Sequence, residues 1–301
     1  MKQGILAGIL AYTLWGLLPG YWKAMQSVPP LEILCHRTIW SLLFVLLALA
    51  IRKQWAWIRQ AWSSPRTLLI SLTSACLLSL NWFTYIWAVN SGHVLDSSLG
   101  YFITPLVNVL LGVLFLRERL RTWQMIAFGL AAMGVLALTV GYGAFPWIAL
   151  SLAFSFGLYG LLRKVSPLGS LEGLSLETGI LSLLAVAYLA YQEGTGNASF
   201  GHNGAATTLL LAGSGVVTAL PLLLFAFAAR QVTLATVGIL QYISPTLQFF
   251  LGVLVYGEPF TPARLLGFAP IWLALVIYSM DGLNEEKRRR AEIRPQLLPG
   301  N

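Results

Sequence analysis

LGYFITPLVNVLLGVLFLRERL, residues 99–120, and ILQYISPTLQFFLGVLVYGEPF, residues 239–260, are the two stretches that decide the fold. A shift of 140 residues superposes them without a gap, so that Pro105 meets Pro245 and the string LGVL is repeated in register. A shift of 144 relates the beginning of the chain to the start of its second half in the same way. Self-similarity at a nearly fixed period indicates that one unit has been duplicated.

The composition places this duplicated unit in a membrane. Hydrophobic residues make up 57% of the 301, charged residues only 10%, and the mean hydropathy is +0.74. A helix needs about 20 apolar residues to cross the hydrocarbon core of a bilayer. We predict ten such spans, near residues 5–22, 31–51, 67–89, 97–116, 122–140, 145–162, 173–192, 205–229, 232–256 and 262–280.

Each copy of the repeat holds five of the predicted spans. Because five is odd, the second copy must enter the membrane upside down relative to the first. We therefore predict an all-α membrane protein of two inverted five-helix repeats, residues 3–141 and 145–281, followed by a charged cytoplasmic tail, 282–301. Inverted repeats are a common basis for alternating access in transporters.

The net charge of +8 is explained by membrane topology, and no nucleic acid is required as a partner. With the N-terminus in the cytoplasm, all of the 19 Lys and Arg except Lys23, Arg37 and Arg264 fall on the cytoplasmic side. The positive-inside rule thus predicts that both termini are cytoplasmic. The arginines of the tail either bind anionic membrane lipid or are simply solvated.

Polar residues beside the two repeated prolines form two matching stripes. Proline removes a backbone donor and frees the carbonyl four residues earlier, so we predict a helix break at each proline. A spacing of four and three places each stripe on one helix face. The stripes are either a binding surface or a kink with hydrogen bonds that hold helices together. Their members are Tyr101, Pro105 and Asn108 in the first copy and Gln241, Pro245 and Gln248 in the second.

Aromatic and amide side chains on other predicted spans are further candidates for lining a solute cavity. Trp22 and Trp87 lie near the ends of their spans, where we predict a role in an interfacial belt rather than in the cavity. The cavity candidates outside the stripes are Tyr12, Trp15, Asn81, Trp82, Tyr85, Tyr159 and Tyr242.

Ionisable residues within the predicted spans are candidates for a charge or coupling site, because a charge in hydrocarbon is costly. His36, Arg37 and Glu177 meet this criterion. His36 has a simpler alternative, a bond to a glutamate one turn earlier. The repeat equates Arg37 with Glu177, but inversion places equivalent residues at mirrored depths, so no bridge between them is predicted.

Several strings resemble the RarD group of the EamA transporter family, within the drug/metabolite transporter superfamily. They are AYTLWGLLPGYWK at 11–23, EILCHRTIWS at 32–41, NWFTYIWAVNSGHVLDSSLGYFITPLVNVLLGVLFLRERL at 81–120 and LQYISPTLQFFLGVLVYGE at 240–258. The resemblance implies ten helices, two EamA repeats, a bacterial inner-membrane location and a central cavity. The name of the group is linked with chloramphenicol sensitivity, which does not establish a substrate.

These features favour a secondary transporter of a small organic solute. The sequence has no phosphate-binding Gly-rich loop followed by Lys, so no ATP is expected as a partner. No His-Glu-x-x-His motif is present, and we expect no metal, no cofactor and no enzymatic activity. The alternatives are a channel, a membrane scaffold or, as the weakest, an intramembrane enzyme.

Overall fold

The computed structural model describes residues 2–53, 55–90, 94–142, 145–255, 269–282 and 284, and all of its regular elements are helices. A π-helical segment, Leu251–Val255, extends the eleventh helix. The helices are α1 (Lys2–Lys23), α2 (Pro30–Arg52), α3 (Ala56–Ser63), α4 (Pro65–Asn90), α5 (Val94–Leu116), α6 (Thr122–Tyr142), α7 (Trp147–Val165), α8 (Ser170–Gly194), α9 (Ala205–Gln231), α10 (Leu234–Gln241), α11 (Ile243–Phe250) and α12 (Ala269–Gly282).

Seven of the described helices are long and apolar enough to cross a membrane: α1, α2, α4, α5, α7, α8 and α9. Shorter apolar helical stretches run over Thr122–Ala137 and Ala269–Gly282. Large apolar side chains face outward on these helices, and Leu184 of α8 is 75% exposed. Outward apolar surface of this kind is stable against lipid, where each helix satisfies its own backbone hydrogen bonds.

The helices differ from the sequence prediction in two places. α3 was not predicted, because its eight residues mix tryptophan with arginine and form no apolar run. The predicted span at 232–256 is interrupted at Tyr242, between α10 and α11. Pro245 explains this interruption, since it cannot donate to the carbonyl of Gln241. At Pro105, by contrast, α5 continues as a helix.

Packing between the two halves of the chain dominates the bundle. α1 packs on α9, α10 and α11, while α7 packs on α4 and α5. α2 packs on α8 and α9, α8 also on α4, and α5 on α10. Small residues permit these close crossings. A Cβ atom at Gly215 of α9 would lie 2.3 Å from the carbonyl carbon of Trp40 on α2.

The predicted tail, 282–301, lies outside the described residues apart from Gly282 and Asn284. Near its start, Asp281 at the end of α12 accepts a 2.8 Å hydrogen bond from Nε of Arg121, next to the start of α6. The C-terminal end of α12 and the N-terminal end of α6 therefore lie on the same side of the bundle.

Candidate functional site

Arg37 lies two turns into α2 with its side chain turned between helices. Its guanidinium carbon lies 5.1 Å from the ring centroid of Trp22 on α1 and 4.7 Å from that of Trp82 on α4. Its Nε donates a 3.1 Å hydrogen bond to Oγ1 of Thr218 on α9. Cation–π contacts and one hydrogen bond thus fix the guanidinium from three neighbouring helices.

Two tyrosines complete the surroundings of Arg37. The rings of Tyr85 on α4 and Tyr101 on α5 meet edge to face with centroids 6.2 Å apart. Tyr85 lies three residues after Trp82, on the face of α4 that meets Arg37. Tyr85 is 38% and Tyr101 39% exposed, although each lies beside a group that five helices surround. We call six side chains the arginine cluster, and we call the accessible surface of its two tyrosines the gap; the cluster consists of Trp22, Arg37, Trp82, Tyr85, Tyr101 and Thr218.

The two proline stripes meet where α5 crosses α10. Nδ2 of Asn108 donates a 2.9 Å hydrogen bond to Oε1 of Gln241. The hydroxyl of Tyr242 donates to the carbonyl of Phe102 at 3.2 Å. Gly238 allows this approach, because a Cβ atom there would lie 2.6 Å from the carbonyl oxygen of Pro105. Most of each stripe is thus a buried contact between the halves, and Tyr101 is the member that reaches the arginine cluster.

A packed aromatic core lies deeper in the bundle than the arginine cluster. Trp15 is seven residues before Trp22 on α1, a separation of about 10 Å along the helix. Its ring packs against Phe156 of α7 and Phe225 of α9 at centroid distances of 5.8 Å. Of the predicted cavity residues, Tyr12 and Tyr159 also belong to this core and are each only 1% exposed. These rings close the bundle below the gap.

The amides of two predicted cavity residues connect helices. Nδ2 of Asn81 on α4 donates to the carbonyl of Leu152 at 2.9 Å and to Oγ of Ser155 at 3.0 Å, both on α7. Nε2 of Gln248 on α11 lies 3.4 Å from the carbonyl of Trp15, which it contacts as a donor. Both amides are partly buried, and a role in solute binding stays a prediction for each.

His36 lies apart from the arginine cluster. Its ring stacks on Phe200 with centroids 4.8 Å apart, and its Nε2 lies 3.9 Å from Oε1 of Glu32. Glu32 accepts hydrogen bonds from the backbone N–H of Ser199 at 2.7 Å and from its hydroxyl at 2.9 Å. Together these groups attach the start of α2 to the connection between α8 and α9.

Glu177 forms a buried polar cluster of its own. Its Oε1 lies 3.4 Å from Nη1 of Arg163, and both side chains are 1% exposed. Ser74 donates to Oε1 at 2.7 Å and Tyr159 to Oε2 at 3.2 Å. A Cβ atom at Gly173 would lie 1.8 Å from Nη1 of Arg163, so a larger residue there would displace the guanidinium. Three groups, Arg163, Ser74 and Tyr159, thus satisfy a carboxylate that would otherwise be too costly to bury.

Sequence reasoning missed one connection between the halves. Glu118, just after α5, accepts hydrogen bonds from the backbone N–H groups of Leu234 at 2.7 Å and Ala235 at 3.0 Å. These groups begin α10, where the helix dipole favours a negative charge. Nζ of Lys164 lies 3.6 Å from the same carboxylate. We call these four residues the Glu118 latch; the pairing of Glu118 with Glu258 in the repeat was its only signal in the sequence.

Comparisons with known proteins agree with one another. The model of the EamA-like transporter family matches residues 2–140. RarD of Streptomyces exfoliatus is 46% identical over 97% of this chain and 93% of its own length. A transporter of Vibrio cholerae is 49% identical over 94% and 93%, and the transporter YojE of Bacillus subtilis 45% identical over 93% and 94%.

The fold is similar to that of a solved structure. It is a crystal structure of a protein only 18% identical, which superposes with a TM-score of 0.70 over 92% of this chain and 97% of that chain. A likeness at this identity extends to the fold alone.

Proposed function

We propose, from the premise that the chain belongs to the RarD group of the EamA-like transporter family, that it is a secondary carrier of a small organic solute. A multi-pass membrane transporter is the common character of the group. The finer proposal is that the solute occupies the gap beside the arginine cluster and that access to this gap alternates between the two sides of the membrane. The names of the relatives favour transport over enzymatic activity.

Reciprocal packing supports a carrier built from two inverted five-helix repeats. α1 of the first half packs on α9, α10 and α11 of the second, and α7 packs correspondingly on α4 and α5. The pairs α2 with α8 and α5 with α10 join equivalent elements. Such reciprocity is the pattern expected of a pseudo-twofold axis in the membrane plane. In this proposal α10, α11 and the π segment together form one span, so that each repeat has five.

Contacts among the connections support an orientation with both termini in the cytoplasm of a bacterium, across its inner membrane. Arg230, at the end of α9, donates a 2.7 Å hydrogen bond to the carbonyl of Ser166, after the end of α7. The Glu118 latch joins the end of α5 to the start of α10. Positive charge is concentrated on all of these ends, as the positive-inside rule requires of the cytoplasmic face.

In this orientation the arginine cluster lies in the outer half of the membrane. Arg37 is seven residues, about 10 Å, from the outer end of α2. The inner half is closed by the aromatic core, the Asn108–Gln241 contact and the Glu118 latch. The proposed transport cycle therefore starts from a gap accessible from outside, and the latch must separate before the gap opens to the cytoplasm.

The observation that carries the proposal is the partial exposure of Tyr85 and Tyr101, two rings of the first half, beside Arg37, which Thr218 of the second half also contacts. Purified protein is first screened for solutes that raise its melting temperature, since a ligand of the folded state stabilises it. A labelled hit is then measured in counterflow with proteoliposomes. We expect saturable counterflow that is lost in Tyr101→Ala and kept in the lipid-facing control Leu184→Ala. Flux without saturation or counterflow would favour a channel instead.

A further inference from the structure

We infer that the solute is a monovalent organic anion with a flat apolar body, bound through Arg37. This inference rests on the proposed carrier function and specifies the chemical class of its solute. Three features of the arginine cluster carry it: an unneutralised charge, a free edge of the guanidinium and the two exposed phenol rings.

The charge of Arg37 is not neutralised in the part of the chain that the structure describes. The nearest carboxylate along α2 belongs to Glu32. This carboxylate accepts hydrogen bonds from Ser199 and lies near His36. Glu177, the equivalent of Arg37 in the repeat, forms an ion pair with Arg163. A guanidinium within a membrane bundle without a counter-ion is costly, and an anionic ligand would remove much of this cost.

The contacts of Arg37 also leave one edge of its guanidinium free. Thr218 takes the Nε donor, and the rings of Trp22 and Trp82 hold the guanidinium group. Neither Nη atom donates a hydrogen bond to any described residue, and neither is among the fully enclosed polar atoms without a partner. Two parallel N–H donors on a fixed guanidinium match the two oxygens of a carboxylate or sulfonate.

A single cation selects a singly charged ligand. No other described basic side chain contacts the arginine cluster, and His36 is packed on Phe200. A dianionic phosphate would bring one charge more than the cluster neutralises. The exposed parts of Tyr85 and Tyr101 supply ring surface for a flat apolar body, and edge-to-face contacts stabilise such a body beside them.

The test uses three probes of nearly equal shape: phenylacetate, its neutral amide phenylacetamide and the cation 2-phenylethylammonium. Their binding to purified full-length protein at pH 8 is measured by calorimetry and by the shift of the melting temperature. We expect phenylacetate to bind about 10- to 100-fold more tightly than the amide, the range for hydrogen bonds to a charged group. The cation should not bind detectably.

Variants of Arg37 locate this preference. Arg37→Gln should remove the advantage of phenylacetate over the amide, and Arg37→Lys should keep only part of it, because an ammonium lacks the planar pair of donors. The lipid-facing control Leu184→Ala should keep the preference. If the Arg37 variants do not fold, the ratio of the affinities of phenylacetate and phenylacetamide for the unmodified protein still tests whether the solute is an anion.

Equal binding of the acid and the amide, or no binding of phenylacetate, would overturn the anion inference and leave the carrier proposal standing. The carrier proposal is tested separately by counterflow of labelled phenylacetate in proteoliposomes. Selective binding of phenylacetate without counterflow would contradict the carrier while supporting the anion site.

Discussion

Replacing Glu177 decides whether this carboxylate is a coupling site or a structural partner of Arg163. Glu177→Ala would leave Arg163, which is 1% exposed, with a buried charge and only the carbonyls of Gly169 and Ser170 as partners. Breaking a buried ion pair in this way costs about 3–5 kcal/mol. An average hydrogen bond between membrane helices contributes only about 0.6 kcal/mol. The stranded charge therefore dominates, and we expect a loss of about 3–5 kcal/mol.

The assay is reversible unfolding of the purified protein in mixed micelles with increasing SDS. The matched control is the double variant Arg163→Met with Glu177→Leu, in which no charge is stranded. Replacing a buried pair by apolar groups of similar size is often neutral or stabilising. We therefore expect the double variant to be more stable than Glu177→Ala. A loss of less than about 1 kcal/mol in the free energy of unfolding of Glu177→Ala would refute the structural role of Glu177. An altered pH dependence of transport in a fully stable Glu177→Gln variant would indicate that Glu177 is a coupling site.

Further predictions concern the contact between the halves. We expect Asn108→Ala and Gln248→Ala each to impair counterflow. Both variants should stay folded, because each substitution removes only about 1–3 kcal/mol of hydrogen bonding. Wild-type counterflow rates in both variants would show that Asn108 and Gln248 take no part in transport. Gly238→Ala should destabilise by about 1–3 kcal/mol through overpacking, because the new Cβ would lie 2.6 Å from the Pro105 carbonyl oxygen. SDS unfolding measures this change, with the Gly129→Ala variant, whose Cβ meets nothing within 4 Å, as the control.

The location of the membrane helices was predictable from the sequence. Each of the seven described helices of membrane length falls on a predicted apolar run, because the bilayer requires length and hydrophobicity of every span. α3 escaped this reasoning, since eight mixed residues carry no such signal. The division of one run into α10 and α11 at Tyr242 lies one turn before Pro245, which removes a backbone donor at that point.

The candidate site was only partly predictable. Arg37, Trp82, Tyr85 and Tyr101 were singled out by depth and residue type, but their convergence depends on how three helices, α2, α4 and α5, pack, which helix periodicity does not specify. Trp22 has the residue type and position of an interfacial belt, yet its ring lies over Arg37. Thr218 gave no signal, because a threonine in an apolar helix usually bonds to its own backbone.

Glu118 illustrates a second limit. Its position after α5 is that of an ordinary charged connection between helices. The left-handed backbone at Arg117, with φ of 54°, redirects the chain there. The side chain of Glu118 then lies against Gly112, where a Cβ atom would be 2.5 Å from its Oε2. Only the tertiary structure shows that the carboxylate reaches the start of α10.

Alternation of access is tested most directly by labelling a single cysteine, Tyr101→Cys, from each side of the membrane with an impermeant thiol reagent. The native thiols Cys35 and Cys76 are first replaced by serine. The reagent should react rapidly from outside and slowly from inside when Glu118 is intact. Glu118→Gln weakens the latch by about 1.5 kcal/mol or more, the contribution of a hydrogen bond to a charged group.

That weakening should raise labelling from inside by about tenfold, while labelling from outside falls only by the fraction of molecules that shift to the inward-open state. Equally rapid labelling from both sides when Glu118 is intact would indicate a continuous pore. Rates unchanged on both sides would contradict alternating access controlled by the Glu118 latch.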